Sequence, residues 1–182
     1  RFRLFDPPAQ ATADGMVAAV REGIGPNTRV LGITWVQSST GLRAPVRAIA
    51  DTVAQINATR SEDQRVRIVL DGVHGFGSVD AAAAELGVDY FCAGTHKWIL
   101  GPRGTGLVWA WADNWAHLRP TIPSFSDLEL YQAWLEGRDV RGPNVAARVT
   151  PGGFHAYEHH SPAADAFALQ RQLGRARSAA RI

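Results

Sequence analysis

Lysine is almost absent from this sequence. Of the 19 basic residues in a chain of 182, 18 are arginine and one, Lys97, is lysine. Arginine carries surface charge and forms ion pairs well, but its guanidinium stays protonated and cannot form an imine with a carbonyl compound. Lys97 is therefore the one side chain in this sequence whose amine can form an imine.

Cysteine, long apolar runs and net charge are also scarce. The single cysteine, Cys92, excludes an internal disulfide framework and a multi-cysteine zinc site, and it fits a reducing compartment. No apolar run approaches membrane-spanning length. A net charge of +2, with the arginines scattered, argues against a nucleic-acid surface. We therefore expect a cytoplasmic protein with neither membrane nor nucleic acid as a partner.

The composition and the two ends indicate part of a globular protein. With 46% hydrophobic and 20% charged residues, the chain can form one sizeable domain with a buried core. It begins RFRLFDPP, without an initiator Met, and stops within a helical pattern at SAARI. We expect an internal piece of a longer protein, which by itself binds a ligand poorly.

Helical and extended patterns alternate along the chain. Apolar spacing predicts helices near 16–24, from Pro45 to 56, at 128–135 and from Pro162 onward, and an Ala-rich segment predicts another near 80–86. In the helix that begins at Pro162, one side is expected to carry Ala166, Leu169, Leu173 and Ala176. Short apolar runs predict strands at 30–36, 66–70, 90–93 and 106–111, the second of them covered on both faces. This order predicts an α/β fold, a mainly parallel sheet with helices on both faces.

Polar clusters follow three of the predicted strands. They are Ser38–Gly41, Asp71–His74 and Gly94–Lys97. In parallel sheets ligands bind beyond the carboxyl ends of the strands, so the three clusters are predicted to face one crevice. Asp71 at the end of its strand could also simply cap the following turn.

Two motifs define the chemistry of this crevice. The first is DGVH, beginning at Asp71, and the second is THKW, containing Lys97 and followed by GPRGTG. Glycines this dense indicate a tight turn that returns the chain to the sheet. A lysine beside such a turn is well placed for imine chemistry.

The stretch from VLDGVHGFGSVD to THKWILGPRGTGLVWA resembles the core of class V, fold-type I pyridoxal-phosphate enzymes. That group includes isopenicillin-N epimerase-like proteins, cysteine desulfurases and related carbon–sulfur lyases. ITWVQSSTGLRAPV resembles the preceding strand, loop and helix of the family, and TPGGFHAYEHH is a looser match. The resemblance implies that residues 1–150 belong to the cofactor-binding large domain and that 151–182 lead into a smaller C-terminal domain.

The resemblance also implies a role for each site residue. Lys97 is expected to hold pyridoxal 5'-phosphate as a Schiff base and to shuttle protons at the substrate, and Asp71 to pair with the pyridinium nitrogen. His74 falls near the phenolic oxygen of the cofactor, and His96 and Thr95 near the ring or phosphate. Ser38 stands where many desulfurases have an Asn. A homodimer is implied by the family alone.

The reaction is expected to be epimerase-like or a carbon–sulfur lyase reaction on an amino acid or related amine, with aminotransfer or cysteine desulfuration as alternatives. Desulfurases use a cysteine on a later loop, whereas Cys92 lies in a predicted strand and is expected to be a packed residue. The segments that carry the family's phosphate-binding helix, ring-stacking residue and substrate arginine do not occur in this chain.

Three other functions are compatible with parts of the sequence. His155, Glu158 and His159 form an H-x-x-E-H pattern that zinc hydrolases use, although nearby Pro151 and Pro162 make a regular helix there doubtful and no metal ligand is assigned. The glycine motifs lack the G-x-G-x-x-G order of a nucleotide-binding module. An interaction module with six tryptophans gives no reason for the position of Lys97.

Overall fold

The computed structural model describes residues 11–122, 124, 127–150 and 156–182. The chain divides into two compact units, one formed by residues up to Trp109 together with Glu158–Ile182, and the other by Ala110–Tyr157. The first unit contains the sheet and the predicted site residues. The second unit interrupts it in sequence.

The helices and strands follow the predicted alternation. The strands are β1 (Val30–Thr34), β2 (Arg67–Asp71), β3 (Tyr90–Gly94) and β4 (Gly106–Ala110), and the helices are α1 (Ala13–Gly23), α2 (Val46–Asn57), α3 (Leu128–Glu136), α4 (Ala146–Val149), α5 (Tyr157–Leu173) and α6 (Arg175–Ala179). Thr12 caps α1 by accepting a hydrogen bond from the Gly15 amide (3.0 Å), and Pro45 stands immediately before α2.

The four strands form one sheet in the order β1-β2-β3-β4, and the first three are parallel. The register pairs Ile33 with Leu70 and Leu70 with Phe91, so these three side chains share one face of the sheet. All three are buried, Leu70 completely. The core therefore lies on this face, and the carboxyl ends of β1, β2 and β3 meet at one edge.

The core combines this sheet face with the apolar side of α2 and part of α1. Its helical members include Val20, Val46, Ile49 and Val53. Aromatic rings continue the cluster: Phe91 contacts Trp35 edge-on at a centroid distance of 6.1 Å and Phe76 at 5.6 Å. These rings form the floor beneath the loops that follow β1 and β2.

Helix α5 returns the chain to the first unit. The Phe167 ring lies 6.2 Å from the Phe76 ring, Gln170 Nε2 donates to the Trp98 carbonyl at 2.9 Å, and Arg175, at the start of α6, pairs with Asp80. Residues 158–182 thus belong to the first unit, although the second unit separates them in sequence from the rest of it.

Four expectations on local structure are corrected. The Ala-rich segment forms only a 3₁₀ turn, Ala83–Glu85, whose start is capped by the Glu85 carboxylate accepting from the Ala82 amide; Gly87, with φ of 73°, follows shortly after the turn. Strand β2 is fully buried on one face only, because Val69 is half-buried. Helix α5 begins five residues before Pro162 and runs through it, although the proline removes one helical hydrogen bond.

The fourth correction is the buried side of α5. Ala166 is buried there as expected, whereas Leu169 is 41% exposed and Ala176 is exposed. The break at Gly174, whose φ of 82° ends α5, changes the direction of the chain before Ala176 and removes that residue from the predicted stripe.

The second unit is held together by ion pairs around α3. Arg138 donates to both carboxylate oxygens of Glu129, at 2.7 and 3.1 Å, and the Arg141 amide adds a third hydrogen bond at 2.8 Å. The Arg138 hydrogen bond is the main reason that the pKa of Glu129 falls to about 2. Asp127 caps α3 through the Leu130 amide and pairs with Arg148 at 2.7 Å.

Asn57 joins the end of α2 to the start of β2. Its Nδ2 donates to the Val66 carbonyl at 2.9 Å, its Oδ1 accepts from the Val66 amide at 2.8 Å, and both residues are buried. Asn57→Ala would leave two backbone groups buried without partners, so we expect the free energy of unfolding to fall by about 3 kcal/mol. Urea unfolding of the full-length protein measures this change in the free energy of unfolding.

Gln55→Ala is the matched control, because Gln55 is exposed on the same helix. Gln55→Ala should change the free energy of unfolding by no more than about 0.5 kcal/mol. Equal losses in the two variants would contradict the role given to Asn57.

Candidate functional site

The candidate site lies at the carboxyl edge of β1, β2 and β3. Thr34 and Asp71 are the last residues of β1 and β2, and their register partner Cys92 lies two residues before the end of β3. Since side chains alternate along a strand, this row faces the opposite side of the sheet from the core row that contains Leu70. Thr34 and Asp71 are exposed, and Cys92 is half-buried.

The Asp71 carboxylate is oriented by two donors. Its Oδ1 accepts from the Val73 amide at 3.0 Å, and its Oδ2 accepts from the Thr34 hydroxyl at 3.4 Å. The bond to Val73 is the turn cap that the sequence allowed. The carboxylate retains further lone pairs and lies exposed at the sheet edge, so it can also accept from a ligand.

The turn after Asp71 packs closely on the aromatic floor. A Cβ added at Gly72 would lie 2.2 Å from the Phe91 ring, and one at Gly75 would lie 2.2 Å from the Trp35 ring. The glycines of DGVHG are therefore required by packing. His74, between them, is half-buried, and its carbonyl accepts from the Ser78 hydroxyl at 2.5 Å.

Lys97 lies in the loop that joins β3 to β4, and its side chain is exposed. Within the described ranges, Nζ has no hydrogen-bond or ion-pair partner, whereas the Lys97 carbonyl accepts from the Leu100 amide at 3.1 Å. The amine is therefore available for covalent chemistry. Lys97 follows β3 by a few residues, on the same edge as Asp71.

The two residues before Lys97 have different surroundings. The His96 ring is exposed and folds back over Gly94, where an added Cβ would lie 2.9 Å from its Cε1. Thr95 is only 3% exposed, and its hydroxyl bonds to that of Thr105. Of these two neighbours of the lysine, His96 faces outward at the edge and Thr95 faces the interior.

Ser38 is exposed in the turn after β1, and its hydroxyl donates to Gln37 Oε1 at 3.4 Å. The Gln37 amide donates to the Leu42 carbonyl and the Gly41 amide to the Gln37 carbonyl, both at 2.9 Å, which closes this turn. Ser38 thus belongs to the first of the three loops at the carboxyl edge.

Cys92 is adjacent to Asp71 but is poorly suited to act as a nucleophile. Burial, and secondarily the negative charge of Asp71, raise the pKa of the Cys92 thiol above its ordinary value. A thiol with a raised pKa holds less of the reactive thiolate at neutral pH. The expectation of a packed cysteine is consistent with its half-buried place in β3.

The zinc alternative finds limited support. Glu158 and His159 are exposed near the start of α5, so the helix that the sequence made doubtful exists there. His155 lies outside the described residues. In the part of the chain that the structure describes, no group of three or more His, Cys, Asp or Glu residues could hold a metal ion, and no helix there is long and apolar enough to cross a membrane.

Two residues of this region were not predicted from the sequence. Thr34 contacts Asp71, and Thr105 contacts Thr95. Thr34 had no signal of its own, because it lies inside the predicted strand 30–36. Thr105 was visible only as the non-glycine member of GTG.

Comparisons with known proteins give a consistent result. The model of the family Aminotransferase class-V matches residues 2–133. Isopenicillin N epimerase of Amycolatopsis lactamdurans is 33% identical over 120 residues, which are 65% of this chain and 28% of that protein. Selenocysteine lyase of Xenopus laevis is 29% identical over 167 residues, 86% of this chain and 37% of that protein.

Solved structures show the same fold. A cystine C-S lyase in complex with cysteine persulfide aligns with a TM-score of 0.70 at 22% identity, over 87% of this chain and 39% of that one. A variant of that lyase with glycine covalently linked to its PLP cofactor aligns equally well. The chain thus spans well under half the length of each of these relatives.

Proposed function

The chain belongs to the aminotransferase class-V family, and on that premise we propose that the full-length protein holds pyridoxal 5'-phosphate at Lys97, as a Schiff base, and acts on an amino acid or related amine. The match of the family model confirms the family recognised from the sequence. The enzymes named among the relatives support the expected class of enzyme and its cofactor. The mainly parallel α/β sheet is confirmed as well. The lysine linkage, the substrate and the reaction belong to the proposal.

One observation carries the proposal: the only lysine and an oriented carboxylate follow adjacent parallel strands at the same sheet edge. The pairing of β2 with β3 fixes this neighbourhood, whatever the flexibility of the lysine side chain. An amine and a carboxylate are the groups needed to bind an aromatic aldehyde whose ring nitrogen is basic. The chemistry of the residues present therefore fits the cofactor.

Each residue then has a definite task. When bound, pyridoxal phosphate supplies an electron sink for negative charge that develops on the substrate. Asp71, held by Thr34 and Val73, would keep a proton on the ring nitrogen. Lys97 would hold the cofactor, release it to the incoming amine, and then move a proton at the α- or β-carbon of the substrate.

Three further residues are proposed to contact the cofactor. His74 and His96, from the loops that follow β2 and β3, would offer ring nitrogens to the phenolic oxygen and to the ring or phosphate. Ser38, from the loop after β1, would contribute a hydroxyl. The exposed positions of Ser38 and His96 support these roles, whereas the buried hydroxyl of Thr95 supports an indirect one.

The reaction that we propose is epimerase-like or a carbon–sulfur lyase reaction. The relatives whose names support it are isopenicillin N epimerase and selenocysteine lyase. Aminotransfer is the alternative, since 2-aminoethylphosphonate–pyruvate transaminase of Bacteroides fragilis is 24% identical over 132 residues. The raised pKa of Cys92 argues against that thiol as the nucleophile of a desulfurase.

We also propose a cytoplasmic homodimer, in which residues 1–150 belong to the large domain and 151–182 lead into the small one. Exposed apolar side chains on α3 support a second copy as partner: Leu128, Trp134 and Leu135 are each at least 60% exposed. Light scattering of the full-length protein tests the dimer, and a monomer at micromolar concentration would contradict it.

Borohydride trapping tests the central proposal. Pyridoxal phosphate added to the full-length protein should produce the visible absorbance of an imine, and reduction should fix the label on Lys97 for mapping by mass spectrometry. The full-length protein can contain lysines outside this chain, so the labelled site is informative. A label confined to another lysine would overturn the assignment.

A further inference from the structure

The loop that carries Lys97 contains a buried pair of threonines. Thr95 and Thr105 are 3% and 9% exposed, and they stand at the two ends of the connection between β3 and β4. The Thr105 hydroxyl donates to the Pro102 carbonyl at 2.6 Å. Since a hydroxyl has one proton, Thr105 must accept from Thr95 in the bond between the two.

Backbone contacts tighten the same loop. The Thr95 amide donates to the Thr105 carbonyl at 3.1 Å, and the Gly101 amide donates to the Thr95 carbonyl at 2.8 Å. Gly101 lies directly against the pair, because a Cβ there would be 2.9 Å from Thr95 Oγ1. The loop is therefore closed on both sides of Lys97 by contacts that converge on Thr95.

Between these contacts the chain makes an unfavourable turn. Leu100 has φ of 64°, which among the described residues is the only left-handed conformation outside glycine, and its side chain is 61% exposed. Such a conformation is retained only where the surroundings impose it. Ile99, 4% exposed, anchors the turn in the interior, while Lys97 projects outward.

We infer that Thr95 and Thr105 are positioning residues, whose buried hydroxyl pair fixes the turn that presents the Lys97 amine to the cofactor. This inference rests on the proposed function. It assigns Thr95 to the support of the lysine instead of to direct contact with the cofactor. A small displacement of a reacting group can cost about a hundredfold in rate, which is why the support matters.

Thr105→Val tests the inference in the full-length protein, because it keeps the shape of the side chain and removes the hydroxyl. We expect imine formation at Lys97, followed by its visible absorbance, to slow by about a hundredfold. Thr105→Ser, which retains the hydroxyl, should restore the parental rate within about twofold. Thr59→Val is the matched control, because that exposed hydroxyl bonds only to the Ile56 carbonyl at the end of α2.

A second variant covers the case in which Thr105→Val does not fold. Gly101→Ala keeps both hydroxyls but crowds Thr95 Oγ1, so it should slow imine formation in the same direction. Parental rates in Gly101→Ala, or in a folded Thr105→Val, would overturn the inference. So would a rate in Thr105→Ser as low as that in the valine variant.

Hydrogen exchange separates this inference from the proposed function. In the protein without added cofactor, Thr105→Val should speed exchange of the Gly101 amide at least tenfold relative to Thr59→Val, and unchanged exchange would contradict the support that we infer. If the parent protein shows no label on Lys97, the proposed function fails. If the parent protein and Thr105→Val both form the label on Lys97 at the same rate, only the positioning role fails.

Discussion

Lys97→Ala is expected to abolish the imine absorbance and to lower turnover by about 10⁴-fold, because covalent attachment and proton transfer both lose the amine that the proposed mechanism assigns to them. Lys97→Arg should fail equally, since a guanidinium keeps the positive charge but forms no imine. The two variants together separate the chemistry of the amine from its charge. Absorbance titration with pyridoxal phosphate and steady-state turnover are the measurements.

A displaced lysine provides a stricter control. The double variant Lys97→Arg, Arg103→Lys keeps one lysine in the same loop, at an exposed position several residues away. It should form no stable imine if the position of the amine matters. Turnover near the parental rate in Lys97→Arg would end the proposed mechanism.

Asp71→Asn is expected to retain the imine but to lower turnover by about 10² to 10³-fold, as the loss of one preorganised electrostatic group does in other enzymes. The amide can still accept from the Val73 amide, so the turn should persist. It carries no negative charge to keep the ring nitrogen protonated. The ratio of turnover to imine content measures this effect separately from cofactor binding.

Asp51→Asn is the matched control, because Asp51 is an exposed carboxylate in a surface pair with Arg47, 2.6 Å away. Such pairs contribute about 0 to 1 kcal/mol, so folding and turnover should be nearly unchanged. If Asp71→Asn behaves like this control, the Asp71 carboxylate only caps its turn.

The parts of the fold that the sequence predicted well are those decided by local apolar patterns. The runs at β1 to β4 and the spacing in α2 located those elements to within a few residues. The errors have tertiary causes. α5 continues through Pro162 and buries Ala166, and the half-buried face of β2 could not be predicted from a continuous apolar run.

The candidate site divides in the same way. The scarcity of lysine and the motifs DGVH and THKW indicated Lys97 and Asp71, because these features are recognisable from the composition and from short contiguous motifs. Thr34 and Thr105 were missed, because their importance comes from pairing between strands and across a loop closure. The interior direction of the Thr95 hydroxyl likewise depends on a partner ten residues away.

The interruption of the first unit by Ala110–Tyr157 has a consequence for biosynthesis. A ribosome must add these 48 residues before α5 can be made, which takes roughly 2 to 10 seconds at ordinary elongation rates. During that interval the nascent chain has the Phe76 ring but not its α5 partner, Phe167. The three parallel strands can pair early, yet this aromatic surface lacks its α5 cover until the helix emerges, and transiently exposed apolar surface of this kind makes a nascent chain prone to aggregation.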